Sequence, residues 1–163
     1  MKYCLDTNVF IQAWNGYYAI DLCSDYWEQL DKFALEGVIL SPEEVAREIS
    51  HIDDELYAWI KDKDYFFRPI DEEVQRCLQI IFSDEKHHRL VDSSKFRSAA
   101  DPWVIAHAMA EKAVVVTKES YEINKTKRIK IPNVCEAMGI ECINDFELLR
   151  RLGLKLKITG RQN

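Results

Sequence analysis

Tyr3-Cys4-Leu5-Asp6-Thr7-Asn8-Val9-Phe10-Ile11-Gln12-Ala13-Trp14, at the head of the chain, is the stretch that sets the fold. Tyr3-Cys4-Leu5 is a short apolar run of the kind that forms a buried strand. Val9, Phe10, Ala13 and Trp14 then recur at helical spacing. Strand, polar break and helix make the start of an α/β unit, whose ligands bind at the carboxyl ends of the parallel strands. Asp6 stands at that place. Two readings are open: a carboxylate facing a ligand, or an N-cap of the first helix, a role that Asn8 would fill equally well.

Outward from this segment the alternation repeats. Tyr26, Trp27, Leu30, Phe33 and Ala34 predict a helix stopped by Gly37. Val38-Ile39-Leu40 predicts a buried strand. Ser41-Pro42-Glu43-Glu44 reads as a helix start, with Ser41 as N-cap, Pro42 at the first helical position and Glu44 completing a capping box. The helix that follows turns Val45, Ile49 and Ile52 inward. Glu48 lies one turn from both Val45 and Ile52, so a second carboxylate sits at the core boundary beyond a strand end. A surface pairing of Glu48 with Arg47 or Lys61 is the alternative, and Glu44 competes for any role.

Further helices are expected over 53–63 and 71–82. The polar segment 83–100 reads as a solvated loop or helix face, and its His87-His88 pair suits a single ion poorly, since neighbours on a helix diverge by about 100°. Asp101-Pro102 reads as an N-cap aspartate before a helix whose inward residues are Val104, Ile105, Ala108 and Met109, with His107 peripheral. Ala113-Val114-Val115-Val116 fits a central parallel strand, and it ends in Thr117-Lys118-Glu119-Ser120. A basic loop over 125–130, a short helix stopped by Gly139, a strand over 140–143 and a last helix through Phe146, Leu149 and Leu152 complete the pattern. The expected fold is a three-layer α/β/α domain over residues 1–154 with a mostly parallel central sheet, followed by a basic tail over 155–163.

A chain of 163 residues is one domain by size. Its five cysteines are odd in number and contain no Cys-x-x-Cys, which argues against a disulfide framework or a zinc knuckle and for a reducing, cytoplasmic setting. No apolar run is long enough to span a membrane. The net charge of −6 is unevenly spread: residues 1–116 carry 12 Lys and Arg against 22 Asp and Glu, whereas 117–163 carry 10 against 6. An acidic body with a basic final third is compatible with a carboxylate site beside a phosphate-contacting surface, and equally with solvated helix faces.

Asp6, Glu48, Asp101 and Glu119 all follow strands or open helices. Brought to one crevice, each pair of charges would repel by about 3 kcal/mol at 5 Å and an effective dielectric near 20. With no compensating His or Lys clustered among them, a divalent cation is the economical explanation. Oxygen-only donors favour Mg²⁺ or Mn²⁺, ions that polarise phosphoryl oxygens and activate water. Asn8 and Thr117 are neutral oxygen donors suited to positioning a ligand or a coordinated water.

As an ordered set, Asp6-Thr7-Asn8, Glu48 in a helix after a strand, Asp101 opening a helix, and Val115-Val116-Thr117 with Glu119 resemble the PIN domain. That family consists of metal-dependent ribonucleases, many of them the toxins of VapC-type toxin–antitoxin pairs. The resemblance implies an endoribonuclease cutting single-stranded RNA, with Asp6, Glu48 and Asp101 in the places of three acidic ligands. The family's fourth place is usually an aspartate two residues after the threonine; here Glu119 holds it, with Glu122 also in reach. An antitoxin and a second copy of the chain are the partners it implies. A catalytically degenerate fold that only binds RNA or protein is the alternative. A haloacid-dehalogenase phosphatase would need a second aspartate where Asn8 stands, and a receiver module would need an aspartate where Val38-Ile39-Leu40 runs into Ser41.

Lys118, Lys125, Lys127, Arg128 and Lys130 follow the last of these strand ends and are the expected RNA-contacting surface. The aromatics of Tyr17–Trp27 and Trp59 are either an exposed docking face or part of the core.

Overall fold

The computed structural model describes residues 1–91, 99–123 and 128–156. Five short strands form one sheet: β1 (Tyr3–Leu5), β2 (Ile39–Pro42), β3 (Phe67–Arg68), β4 (Val114–Val116) and β5 (Cys142–Ile143). Their order is β3-β2-β1-β4-β5, and every neighbouring pair is parallel. Eight α-helices lie among them: α1 (Thr7–Trp14), α2 (Ser24–Leu35), α3 (Glu43–Ser50), α4 (Asp54–Ile60), α5 (Glu72–Phe82), α6 (Asp101–Glu111), α7 (Ile131–Met138) and α8 (Asp145–Arg151). All residues of β1, β2 and β4 are buried. Successive strand residues point to opposite faces, so helices must cover both sides of the sheet, the condition parallel sheets require. The expected α/β architecture is the one observed.

The chain runs outward from β1 to β2 and β3, then returns to place β4 on the other side of β1. The strand order therefore reverses between β1 and β4, and the crevice at their carboxyl ends is the topological switch point where ligands bind in open α/β sheets. Leu5 pairs with Val116 at that end, and the Asp6 N–H donates to the Val116 carbonyl at 3.0 Å. Residues 6 and 117 thus leave the sheet side by side.

Several local expectations are corrected. Ser41 and Pro42 belong to β2, and α3 begins at Glu43 without a side-chain cap. The Ser41 hydroxyl donates instead to the Leu5 carbonyl, bracing β2 against β1, so no capping box forms. The strand β3 was not legible: two residues are too few for a period. Its neighbour Phe66 and its own Phe67 pack on Phe10 at centroid distances of 5.5 and 5.6 Å. Gly37 ends α2 as expected, at φ +69°, a conformation glycine enters without a Cβ penalty.

The aromatic residues near Tyr17–Trp27 mostly belong to the core. Tyr26 and Trp27 are buried; Trp27 meets Trp14 and Trp59 edge-on, each at 5.0 Å, and Tyr18 stacks on Tyr26 at 4.3 Å. Tyr17 and Leu22 stay exposed. The segment after α5 is not simply solvated either. A 3₁₀ turn over Glu85–Leu90 buries His87, whose Nδ1 lies 2.8 Å from the Ile81 carbonyl, while His88 Nε2 lies 2.8 Å from that of Phe82. Each ring thus has one nitrogen engaged with a backbone carbonyl. All five cysteines are free thiols, and among the described residues no helix is long and apolar enough to cross a membrane.

Candidate functional site

Asp6 occupies the N-cap position of α1, yet its side chain makes no capping bond. It accepts instead from the Thr117 hydroxyl at 2.7 Å. Thr117, buried at the end of β4, in turn accepts from Asn8 Nδ2 at 3.1 Å and from the Glu119 N–H at 3.1 Å. Asn8 Oδ1 takes the Lys118 N–H at 2.9 Å. Both neutral residues singled out from sequence therefore serve one purpose: they lock the β1 and β4 ends together and fix the Asp6 carboxylate.

Glu48 is buried on α3. Arg47 pairs with Glu43 and Glu44, leaving Glu48 free of the surface pairing that was its alternative. One Glu48 oxygen accepts from the Thr7 hydroxyl, and the other, Oε1, is buried without a hydrogen-bond partner. Sequence reasoning did not single out Thr7, although its place between Asp6 and Asn8 was the available signal. Asp101 is also buried, but as the first residue of α6; Ala100 holds the cap position, so the expected N-cap role is corrected. His107, expected at the periphery of the same helix, is buried with Nδ1 2.9 Å from the Trp103 carbonyl.

Glu119 reaches the same crevice from the β4 side, where its Oε2 accepts the Ile131 N–H at 2.9 Å. Asp6, Glu48, Asp101 and Glu119 all line one cavity of about 320 Å³, with Thr7, Asn8 and Arg128. Glu122 is not among its walls and pairs with Lys130 at 3.6 Å.

The cations divide. Arg128 forms an ion pair with Asp101 and lies 3.6 Å from Glu119, inside the acidic crevice. The premise that the acids lack a basic partner is therefore corrected. Seven positions separate Arg128 from the end of the Lys118-to-Ser120 segment, and no sequence period links it to Asp101. Lys130 lies at the rim, 3.9 Å from Glu119. Lys118 turns to the buried Asp145 at 2.8 Å, away from the cavity walls. Lys125 and Lys127 lie outside the described residues, as does the tail from 157 onward.

The electrostatics record the crowding. Burial, with repulsion from Glu119 and Glu48, pushes the Asp6 carboxyl up to about 7 against the pull of the Thr117 hydroxyl. Burial also raises Glu48, opposed by Thr7 and Arg128. Asp101 is held well above the ordinary carboxylate range by burial and by Asp6 and Glu119, with Arg128 acting the other way. Acids in this state are poised to gain from any added positive charge. Oxygen-only donors and the orphaned Glu48 Oε1 suit a hard divalent ion. As they stand, though, no three Asp, Glu, His or Cys side chains among the described residues are grouped to hold one.

The solved structure of VapBC2 from Rickettsia felis bound to a DNA fragment from their promoter is similar to this fold, with a TM-score of 0.54 and 16% identity over 88% of this chain and 98% of that one. The fold is thus PIN-like, as the ordered motifs implied. No curated protein matches the sequence. A family model described as Domain of unknown function (DUF4411) matches residues 3–156, nearly the whole described chain, and the protein belongs to that family.

Proposed function

We propose that this protein is a metal-dependent endoribonuclease that hydrolyses single-stranded RNA. The observation that carries the reading is the convergence of Asp6, Glu48, Asp101 and Glu119 on one cavity at the switch point of the sheet. Those four carboxylates would hold Mg²⁺ or Mn²⁺, which when bound supplies charge stabilisation at a phosphoryl oxygen and a water of lowered pKa. Thr117 and Asn8 fix Asp6 in the cavity wall, and Thr7 fixes one oxygen of Glu48 while Oε1 is left without a hydrogen-bond partner. Among the described residues no hydroxyl or thiol in the cavity is backed by a histidine, so a direct attack by water is the economical chemistry.

Lys130 at the rim and Arg128 inside the crevice, with Lys125 and Lys127 close by in sequence, are the proposed phosphate contacts; Lys118, expected among them, is held by Asp145. Arg128 has two tasks in this reading: it balances the acids before a cation arrives and contacts phosphate afterwards. In keeping with the PIN resemblance and the VapBC2-like fold, we further place the chain as the toxin of a toxin–antitoxin pair in the cytoplasm. A small open reading frame directly beside its gene would support that placement, and a solitary gene would count against it.

A second reading rests on Arg128. With Asp101 already ion-paired, the fold could serve as a binding module without chemistry. Incubating wild type and Asp101→Asn with single-stranded RNA and Mn²⁺ separates the two. Cleavage by wild type alone supports the nuclease; no cleavage by either, with equal RNA binding, supports the binding module.

A further inference from the structure

A second cavity of about 430 Å³ adjoins the acidic crevice, and Glu119 lines both. It lies between the end of β4, the start of α7 and the β5–α8 turn, within the size range of small-ligand sites. Its lining is unlike that of the first. Tyr121, Pro132 and Ile143 offer ring and apolar surface, Asn144 a side-chain amide, and Arg150 a largely exposed guanidinium at the rim.

Tyr121 is held for use. Its hydroxyl is hydrogen-bonded to Glu136 and Asn133 on α7, while the residue as a whole is half exposed. The buried Asn133 also clamps the Glu122 backbone, donating to its carbonyl at 3.0 Å and accepting its N–H at 3.4 Å. The segment 121–122 is thereby fixed to α7, so the ring is positioned without a ligand. A half-exposed aromatic ring on a cavity wall, tethered at its hydroxyl, can serve as a stacking surface for a base. Glu119 and Glu147 in the lining would repel a phosphate placed inside, whereas Arg150 at the rim would attract one.

We propose that this cavity seats one nucleobase of single-stranded RNA on Tyr121, next to the phosphate held in the acidic crevice, with Arg150 contacting a neighbouring phosphate. The proposal rests on the ribonuclease reading and adds where the strand leaves the acids: along Glu119 toward α8.

The test uses the full chain with chelator present, so that no RNA is cut, and a ten-nucleotide single-stranded RNA carrying 2-aminopurine. Wild type should quench the fluorescent base. Tyr121→Leu should weaken binding by roughly 5- to 100-fold and relieve the quenching, since stacking one base on an aromatic ring contributes at about that level. The salt dependence of that variant should stay that of wild type, whereas Arg150→Gln should flatten the slope by about 0.7. Tyr121→Trp, which keeps a ring, should bind at least as well as wild type. If Tyr121→Leu fails to fold, an unaltered salt slope in Arg150→Gln together with no quenching in Tyr121→Trp would overturn the proposal. Wild-type binding without quenching, at any label position, would also overturn it and leave the cavity to a protein partner. Unchanged binding by a folded Tyr121→Leu would sink this proposal alone. A wild type that binds no RNA with Mn²⁺ in place of the chelator would sink the ribonuclease reading itself.

Discussion

The Thr117 hydroxyl donates to the Asp6 carboxylate at 2.7 Å, joining residues 111 positions apart where β1 and β4 end. Three polar groups converge on that one oxygen, since it also accepts from Asn8 and the Glu119 N–H. Thr117→Val keeps the shape and removes the hydroxyl, leaving buried groups unpaired at a cost of about 1–3 kcal/mol. Thermal unfolding should register that loss, and Thr117→Ser should recover most of it. A valine variant as stable as wild type would show that the bond does not hold the site.

The first fifteen residues made most of this legible. A strand that breaks into Asp6-Thr7-Asn8 and then a helix points to both the α/β class and the corner where the buried carboxylates gather. The run Val114–Val116 fixed its partner strand in the same way. Glu48 was legible because it lies one turn from Val45, which is buried; Ile52, expected inward on the same helix, is exposed, because α3 ends at Ser50. What stayed hidden was long-range or too short to have a period: the two-residue β3, the Ser41 bond to Leu5, and above all Arg128. Charge in a basic loop reads as solvent-facing, and only the folded chain brings it to Asp101. His107 was misplaced because a helix buried against both the sheet and α5 has little polar face to assign.

Arg128 and a divalent ion compete for the same carboxylates. Arg128→Gln should therefore bind Mn²⁺ about tenfold or more tightly than wild type, given the size of a close unit-charge repulsion. The same variant should bind RNA more weakly. Calorimetric titration reads the first effect without any turnover, and an unchanged or weaker Mn²⁺ affinity would remove Arg128 from the crevice.

The metal-free protein should lose stability as pH rises. Asp6 titrates near 7 when folded and near 3.9 in an unfolded chain. Between about pH 4 and 7 the folded state holds a proton that the unfolded state has released, so the slope of stability with pH is negative there. Glu48 and Asp101 are shifted in the same direction. Asp6→Asn should flatten this profile by on the order of a few kcal/mol across the window. Denaturant melts at pH 5 and 7.5, with chelator, test it; identical profiles for the two proteins would contradict the shift.

Trp27 tests whether the aromatic cluster is core or docking face. It is buried and meets Trp14, Tyr26 and Trp59 edge-on. Trp27→Ala should cost about 3–5 kcal/mol of stability. Tyr17→Ser, at an exposed position, should cost little. Equal losses in urea melts would refute the assignment.

The central claim is that Asp6, Glu48, Asp101 and Glu119 form one cation site. Titrating Mn²⁺ by calorimetry into wild type and Asp101→Asn tests it most directly. Affinity should fall at least tenfold in the variant, because one charged donor is gone and Arg128 is left uncompensated beside the site. Equal affinity in the two proteins, or no Mn²⁺ binding by either, would contradict it.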